Sequence, residues 1–171
     1  DLVLTVGDRY ETLATAVSAT FMNIPLAHIQ GGEVSGNLDE NVRHAITKLS
    51  HYHFATTAQS RKRILMLGEE TKRVFLTGCP SMDLINKRNE KIDRNFGKRI
   101  YGTGKVLEPK NPYIVAVNHP LSTSNNTNLR NAKIFLNALL KRKEQVVLFW
   151  PNSDAGNDIL SKVIRSYRET K

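Results

Sequence analysis

The strongest constraint on the fold is a repeated alternation between short apolar runs and segments with helical spacing. Residues 2–6 form the first run, Gly7 and Asp8 end it, and apolar residues then recur at helical spacing over 9–22. Strand–helix–strand units of this length join parallel strands, so the sequence predicts a parallel α/β sheet with strand 2–6 buried on both faces. The predicted strands are 2–6, 25–29, 53–56, 74–77, 113–117 and 146–150; the predicted helices are 9–22, 38–50, 60–67, one from 81, 129–141 and one from about 157.

Residues 87–110 interrupt this alternation with eight basic and three acidic residues. We expect 87–111 to be a basic linker between part of an N-terminal Rossmann-like domain (1–86) and the start of a C-terminal one (112–171). Only two strands and two helices follow the linker, too few for an independently stable sheet. The sequence therefore predicts a central fragment of a longer two-domain protein.

Composition excludes several classes of protein. With 171 residues, 40% hydrophobic and 24% charged, the chain can bury a core. A single cysteine, Cys79, allows no internal disulfide and suits a reducing compartment, which predicts a cytoplasmic protein. No apolar run reaches the roughly 20 residues that span a bilayer. Walker, G-x-G-x-x-G, G-x-S-x-G and Cys/His metal patterns are also missing, so no metal or cofactor site is predicted.

The net charge of +9 is concentrated in the second half of the chain. Residues 1–86 hold 8 basic and 9 acidic residues, whereas 87–171 hold 17 and 7. A basic half could attract nucleic acid, an anionic surface or phosphates on a small ligand, and it could equally be a solvated surface. A nucleic-acid-binding module therefore stays open as one hypothesis, although 87–110 offers only Phe96 and Tyr101 for stacking on bases.

Residues 28–44 carry two histidines, one arginine, three acids and three glycines between a predicted strand and a predicted helix. Ligands of parallel α/β sheets bind beyond the carboxyl ends of strands, where this loop lies. Asn37 with Glu40 fits a capping box, and Asp39 falls in the first turn, where the helix dipole favours negative charge.

The helix from 38 is predicted to be amphipathic. Asp39 and Arg43 are four residues apart, which predicts a polar face directed away from the core. A solvated ion pair on an ordinary helix explains this spacing as well as a binding site does. The predicted buried stripe consists of Val42, Ala45, Ile46 and Leu49.

Other candidate residues also follow predicted strands. Asp8 comes after the first strand, where it could cap a helix or meet a ligand. His119, in V-N-H-P, has the equivalent place in the second domain. If two sheets face each other across a cleft, Asp8, the 30–44 loop and His119 converge and supply acids and an imidazole for proton transfer. Asn152 follows the last strand, where turn formation explains it equally well.

Three further histidines are predicted to lie outside the site. His28 falls inside an apolar strand, which indicates a buried, neutral imidazole. His51 and His53 fall near the beginning of the third strand, at the opposite end from the loops that bind ligands.

Five motifs, in order, resemble the hydrolysing UDP-N-acetylglucosamine 2-epimerases of sialic acid and related nonulosonic acid biosynthesis. This resemblance implies a glycosyltransferase-B-like fold, two Rossmann-type parallel-sheet domains with the active site between them. It also implies a role in making capsule polysaccharide, a UDP-sugar substrate, no cofactor, no nucleic-acid or membrane partner, and a homodimer or homotetramer. The motifs are G-D-R at 7–9, H-I-Q-G-G-E-V-S-G at 28–36, D-E-N-V-R-H-A-I-T-K at 39–48, G-C-P-S-M-D at 78–83 and N-H-P at 118–120.

The resemblance further implies a reaction and a set of residues. UDP is eliminated to leave a 2-acetamidoglucal, which is hydrated to N-acetylmannosamine. The residues that match the catalytic motifs are Asp8, Asp39 and His119. Those expected to bind substrate are Arg9, Gln30, Glu33, Arg43, His44 and Asn152.

The sequence departs from the family at Gln30, where many relatives have glutamate. An amide cannot remove or deliver a proton, so proton transfer would pass to Asp8, Asp39 or Glu33. The family's N-terminal glycine-rich segment and C-terminal uridine-binding region are also missing from the 171 residues, in keeping with a fragment. A glycosyltransferase of the same fold, which needs an acceptor, stays open as the alternative enzyme.

Overall fold

The computed structural model describes residues 1–87, 95, 97, 102, 104–120, 125–153 and 156–169. The chain divides into two compact units, Asp1–Arg88 and Asn89–Lys171. Most of the basic stretch 87–111, predicted to be a linker, lies outside the described residues.

The first unit is a four-stranded parallel sheet with the strand order β1-β2-β3-β4. Its elements alternate as the sequence predicts, which confirms the parallel α/β class. They are β1 Val3–Val6, α1 Tyr10–Phe21, β2 Leu26–Ile29, α2 Leu38–Leu49, β3 Tyr52–Ala55, α3 Ala58–Met66, a 3₁₀ turn at Thr71–Arg73, β4 Val74–Leu76 and α4 Pro80–Asn86.

The second unit contains a parallel pair of strands, β5 Tyr113–Ala116 and β6 Gln145–Leu148. The helices whose full extent the structure describes here are α5 Asn125–Leu140 and α6 Asn157–Glu169. The core of this unit lies between the helices, where Ala132, Leu136, Leu160 and Val163 are buried together. Within the described residues, no helix is both long and apolar enough to span a membrane.

Helices α1, α2 and α3 cover one face of the sheet in the first unit. The order of the strands in the sheet is the same as their order in the chain. Right-handed crossovers between neighbouring parallel strands then place successive helices on the same side of the sheet. Leu26 of β2 is buried there against α1 and α2, and Ile64 of α3 packs on β3 and β4. On the other face Leu4, Val6 and Phe75 are exposed. Within the part of the chain that the structure describes, β1 forms the edge of the sheet and has helices on one face, so the prediction that strand 2–6 is buried on both faces is wrong there.

The hydrogen-bond ladder continues one residue beyond three strands. Gly7 N–H donates to Ile29 O (3.1 Å), and Gln30 N–H donates to Phe54 O (3.2 Å). Thr77 N–H donates to Ala55 O (3.0 Å). The loops after β1, β2 and β4 therefore start from anchored positions on one edge of the sheet.

Helix α2 begins at a capped end whose hydrogen bonds differ from the predicted capping box. The Asn37 side chain accepts from Asp39 N–H (3.1 Å), one residue earlier than a capping box requires. The Glu40 carboxylate accepts from Gly36 N–H (2.7 Å) and Ser35 N–H (3.0 Å) rather than from Asn37. These backbone bonds, that from Gly36 foremost, hold the pKa of Glu40 below its usual value.

The buried face of α2 also differs from the prediction. Arg43 is buried beside Ile46 and Thr47, whereas Ala45 is exposed. Positions 43, 46, 47 and 50 share one helical face, and the polar residues on it bond to protein groups instead of water. The prediction that Arg43 lies on a face directed away from the core is therefore wrong. Val42 and Leu49 pack partly buried against the core, as expected.

Candidate active site

A buried ion pair joins the loop after β1 to helix α2. Asp8 does not cap α1, whose N-cap is Arg9; its carboxylate instead accepts from Arg43 Nη2. The side chain of Arg43 is 8% exposed and that of Asp8 is 25% exposed. Arg43 Nη1 donates to Glu33 O (2.7 Å). One buried guanidinium therefore holds both the Asp8 loop and the loop after β2.

Two further contacts, at Glu33 and at Gly32, hold the loop after β2 in place. Glu33 Oε1 accepts from the Thr56 hydroxyl (2.6 Å), which follows β3. A Cβ on Gly32, whose φ is +74°, would lie 2.3 Å from Ser60 O, so no side chain fits between this loop and α3. Thr56 was missed in the sequence, although it follows a strand as Asp8 and Gln30 do.

Gln30 adopts a backbone conformation that is rare for residues other than glycine. Its φ is +66°, which costs about 1–2 kcal/mol for an L-residue. Its side-chain nitrogen lies 3.8 Å from Cys79 Sγ, after β4. A Cβ on Gly7 would lie 3.8 Å from Gln30 Oε1. The amide therefore lies among residues that follow three different strands.

The remaining candidates of the first unit make other contacts. Asp39 is exposed and its carboxylate accepts from the Asn37 amide (3.0 Å). His44 Nε2 lies 3.7 Å from the Glu40 carboxylate. Arg9 forms a bidentate ion pair with Glu11, and its guanidinium lies over the Tyr10 ring, 5.4 Å from the ring centre. The structure thus gathers Asp8, Glu33 and Arg43 by direct bonds, and no described contact joins Asp39 or His44 to them.

The prediction that His28 is a buried, neutral histidine is confirmed. Its side chain is fully buried, and this burial lowers its pKa to about 4 despite a hydrogen bond to the Gly7 carbonyl. His53 is likewise buried, and burial lowers its pKa as well.

Acidification is expected to destabilise the protein through His28. The folded pKa lies below the unfolded value near 6.5, so the unfolded chain binds more protons between those values, and stability falls as the pH drops through 6.5 towards 4. The full loss is about 3 kcal/mol. Urea unfolding of the wild type and of His28→Gln at pH 7, 6 and 5 would measure this loss of stability. The variant lacks the imidazole but keeps the carboxylates, whose titration therefore affects both proteins equally. Equal pH slopes in both proteins would contradict the expectation.

In the second unit, His119 and Asn152 meet directly. Asn152 N–H donates to His119 Nδ1 (3.2 Å). A backbone N–H can only donate, so neutral His119 carries its proton on Nε2. His119 also lines a cavity of about 200 Å³. Two asparagines of α5 line it as well, and sequence analysis missed them. The clustering of asparagines in 125–131 was the only signal that could have indicated them. The lining residues are Asn118, His119, Pro120, Asn128, Asn131 and Leu160.

Comparison with known proteins identifies the family. The sequence model of the UDP-N-acetylglucosamine 2-epimerase family matches residues 1–171. The chain is 37% identical over 167 residues to the UDP-N,N'-diacetylbacillosamine 2-epimerase (hydrolyzing) of Legionella pneumophila, covering 98% of the chain and 43% of that relative. It is 29% identical over its whole length to the UDP-N-acetylglucosamine 2-epimerase of Neisseria meningitidis, of which it covers 44%.

A solved structure shares the fold. The crystal structure of UDP-GlcNAc 2-epimerase from Neisseria meningitidis bound to UDP-GlcNAc aligns with a TM-score of 0.68 at 19% identity, over 96% of this chain and 46% of that one. The fold is therefore glycosyltransferase-B-like, with parallel sheets, as expected. The chain spans less than half the length of these relatives. From the whole-length family match and the 37% identity, the chain belongs to the UDP-N-acetylglucosamine 2-epimerase family.

Proposed function

We propose that the full-length protein is a hydrolysing 2-epimerase of UDP-linked 2-acetamido sugars. With UDP-N-acetylglucosamine it would release UDP and N-acetylmannosamine. The observation that carries the proposal is the Asp8 carboxylate, held by the buried Arg43 beside the anchored ends of three parallel strands. The identity to a relative named as a hydrolysing 2-epimerase supports the hydrolytic outcome.

The chemistry needs a proton acceptor and later a proton donor. Removal of the C2 proton and cleavage of the C1–O bond release UDP and leave a C1–C2 double bond. Water then adds its oxygen to C1, while a proton returns to C2 on the opposite face. Such proton transfers call for side chains that can both take and give a proton, as carboxylates do.

Each candidate residue has a proposed role in this reaction. Asp8 and Asp39 are proposed to transfer the protons, because the Gln30 amide cannot. Arg43 and Glu33 would fix the orientation of Asp8 and of the loop after β2. His119 would donate from Nε2 to the departing diphosphate, since its Nδ1 is occupied by Asn152 N–H. Arg9, Gln30, His44 and Asn152 are proposed to bind the substrate.

The test is turnover in deuterated water without any acceptor. Purified full-length protein is incubated separately with UDP-N-acetylglucosamine and with UDP-N,N'-diacetylbacillosamine, the sugar in the Legionella relative's name. The expected products are UDP and a free 2-epimerised sugar with deuterium at C2. Release of UDP only with an added sugar acceptor would favour a glycosyltransferase, and epimerised UDP-sugar without UDP release would overturn the hydrolytic outcome. Steeply salt-dependent binding to a random duplex, without turnover, would favour a nucleic-acid-binding module.

A further inference from the structure

His28 connects two elements that support the Asp8–Arg43 pair. Its imidazole is fully buried at the end of β2. Nε2 lies 2.8 Å from Gly7 O, and Nδ1 lies 3.2 Å from Thr47 Oγ1. The ring therefore bridges the loop after β1 and helix α2.

Each of these contacts involves a residue that lies close in the chain to one member of the pair, Gly7 to Asp8 and Thr47 to Arg43. Gly7 precedes Asp8 in the chain, and its N–H is already held by Ile29 O (3.1 Å). With the carbonyl held by His28, both polar backbone groups of Gly7 are bonded. On the other side, Thr47 lies one helical turn after Arg43, and its hydroxyl lies 3.0 Å from Arg43 O.

The chemistry of the partners fixes the orientation of the ring. Gly7 O can only accept, so neutral His28 carries its proton on Nε2 and leaves Nδ1 as an acceptor. The Thr47 hydroxyl has one proton, so it donates either to Nδ1 or to Arg43 O and not to both at once. A flipped ring would place a carbon atom against Gly7 O and leave a buried carbonyl without its donor. Such a loss is costly in a buried site.

The loop after β2 approaches the His28 ring closely at Gly31. A Cβ on Gly31 would lie 3.0 Å from Thr47 Oγ1 and 3.1 Å from His28 Nδ1. The backbone between Gln30 and Glu33 therefore packs on the contact between His28 and Thr47. The ring contacts no residue assigned to proton transfer, so its effect on the reaction would be indirect.

We propose that His28 is a positioning residue, which holds the Gly7–Asp8 turn and the Arg43 segment of α2 in the relative arrangement that forms the Asp8–Arg43 pair. The proposal rests on the proposed function, because it treats that pair as part of the active site.

The test compares His28 with an equally buried histidine on the same face of the sheet. His53 is the register partner of His28 in β3, but its imidazole bonds to Glu69 (3.2 Å). His28→Leu is expected to lower kcat by roughly tenfold or more with KM within about threefold, whereas His53→Leu loses stability and keeps kcat. His28→Gln retains an N–H donor for Gly7 O and should recover much of kcat. Thr47→Val, which replaces the hydroxyl with a methyl group, supplies a milder variant if His28→Leu does not fold.

A second measurement does not depend on catalysis. Amide hydrogen exchange in the segments that contain Asp8 and Arg43 should accelerate in His28→Leu or Thr47→Val, but not in His53→Leu. Unchanged exchange there, or equal kcat losses in the His28 and His53 variants, would overturn the positioning role. If wild-type protein shows no turnover, the proposed function fails, and the exchange data still decide whether His28 holds the two segments.

Discussion

Asp8→Asn and Asp39→Asn in the full-length protein are each expected to lower kcat by more than about 10²-fold, while UDP affinity stays within about threefold. An asparagine retains the size of the side chain but can no longer accept a proton at neutral pH. The measurements are turnover and exchange of the C2 hydrogen with deuterated water. Exchange at the wild-type rate in both variants would contradict the assignment of the two carboxylates.

The two variants should differ in stability, which separates loss of chemistry from loss of structure. Asp8→Asn leaves the buried Arg43 guanidinium without its carboxylate and should cost about 3 kcal/mol, the low end for broken buried pairs, since Asp8 is partly exposed. Asp39 is exposed, so Asp39→Asn should change stability little. The double variant Asp8→Asn/Arg43→Gln removes the unpaired charge and should regain stability without regaining turnover.

Gln30→Glu serves as the matched control for these carboxylates. We expect it to retain activity, because the two side chains are nearly isosteric. Complete loss of activity would mean that the amide N–H₂, which lies towards Cys79, is itself required.

His119→Ala is expected to lower kcat by roughly 10²-fold or more. Its Nδ1 accepts from Asn152 N–H, so Nε2 is the nitrogen that can donate to a leaving group. Because His119 is exposed, thermal stability should hardly change. The measurement is steady-state kinetics, and a change confined to KM would instead make His119 a binding residue.

His119→Gln separates two roles for the imidazole. Glutamine can donate a hydrogen bond but cannot transfer a proton. If His119 only stabilises the departing diphosphate, His119→Gln should keep more activity than His119→Ala. If His119 transfers a proton, both variants should be equally impaired.

Periodicity was sufficient to predict the parallel α/β class because its information is local. The alternating strands and helices appear close to the predicted boundaries, and the parallel pairing follows from the length of the crossovers. The wrong prediction for β1 has a physical origin. A short apolar run has the same composition whether helices cover one face of the strand or both. The number of covered faces depends on the order of the strands in the sheet, and no local sequence pattern contains that order.

Arg43 was misjudged for a different reason. Its spacing to Ile46 and Thr47 is that of the buried face, but its charge suggested water and a partner four residues away at Asp39. The actual partner, Asp8, is 35 residues earlier in the chain. A pair of this kind forms only after two strands and a helix have assembled, so the sequence predicted the participants without predicting which of them are bonded. The same holds for Thr56, whose bond to Glu33 spans 23 residues.

Backbone hydrogen bonds extend the sheet past β1, β2 and β4, so the points where the loops begin do not depend on the side chains of the loops. Gly7, Gln30 and Thr77 are each attached to a neighbouring strand by a main-chain N–H, which every residue except proline possesses. Side chains farther along these loops can therefore be exchanged during evolution without displacing the points at which the loops begin. A lineage could acquire a preference for a differently decorated sugar by substitutions in the loops, while the distances between their starting points stay set by the spacing of about 4.8 Å between adjacent strands.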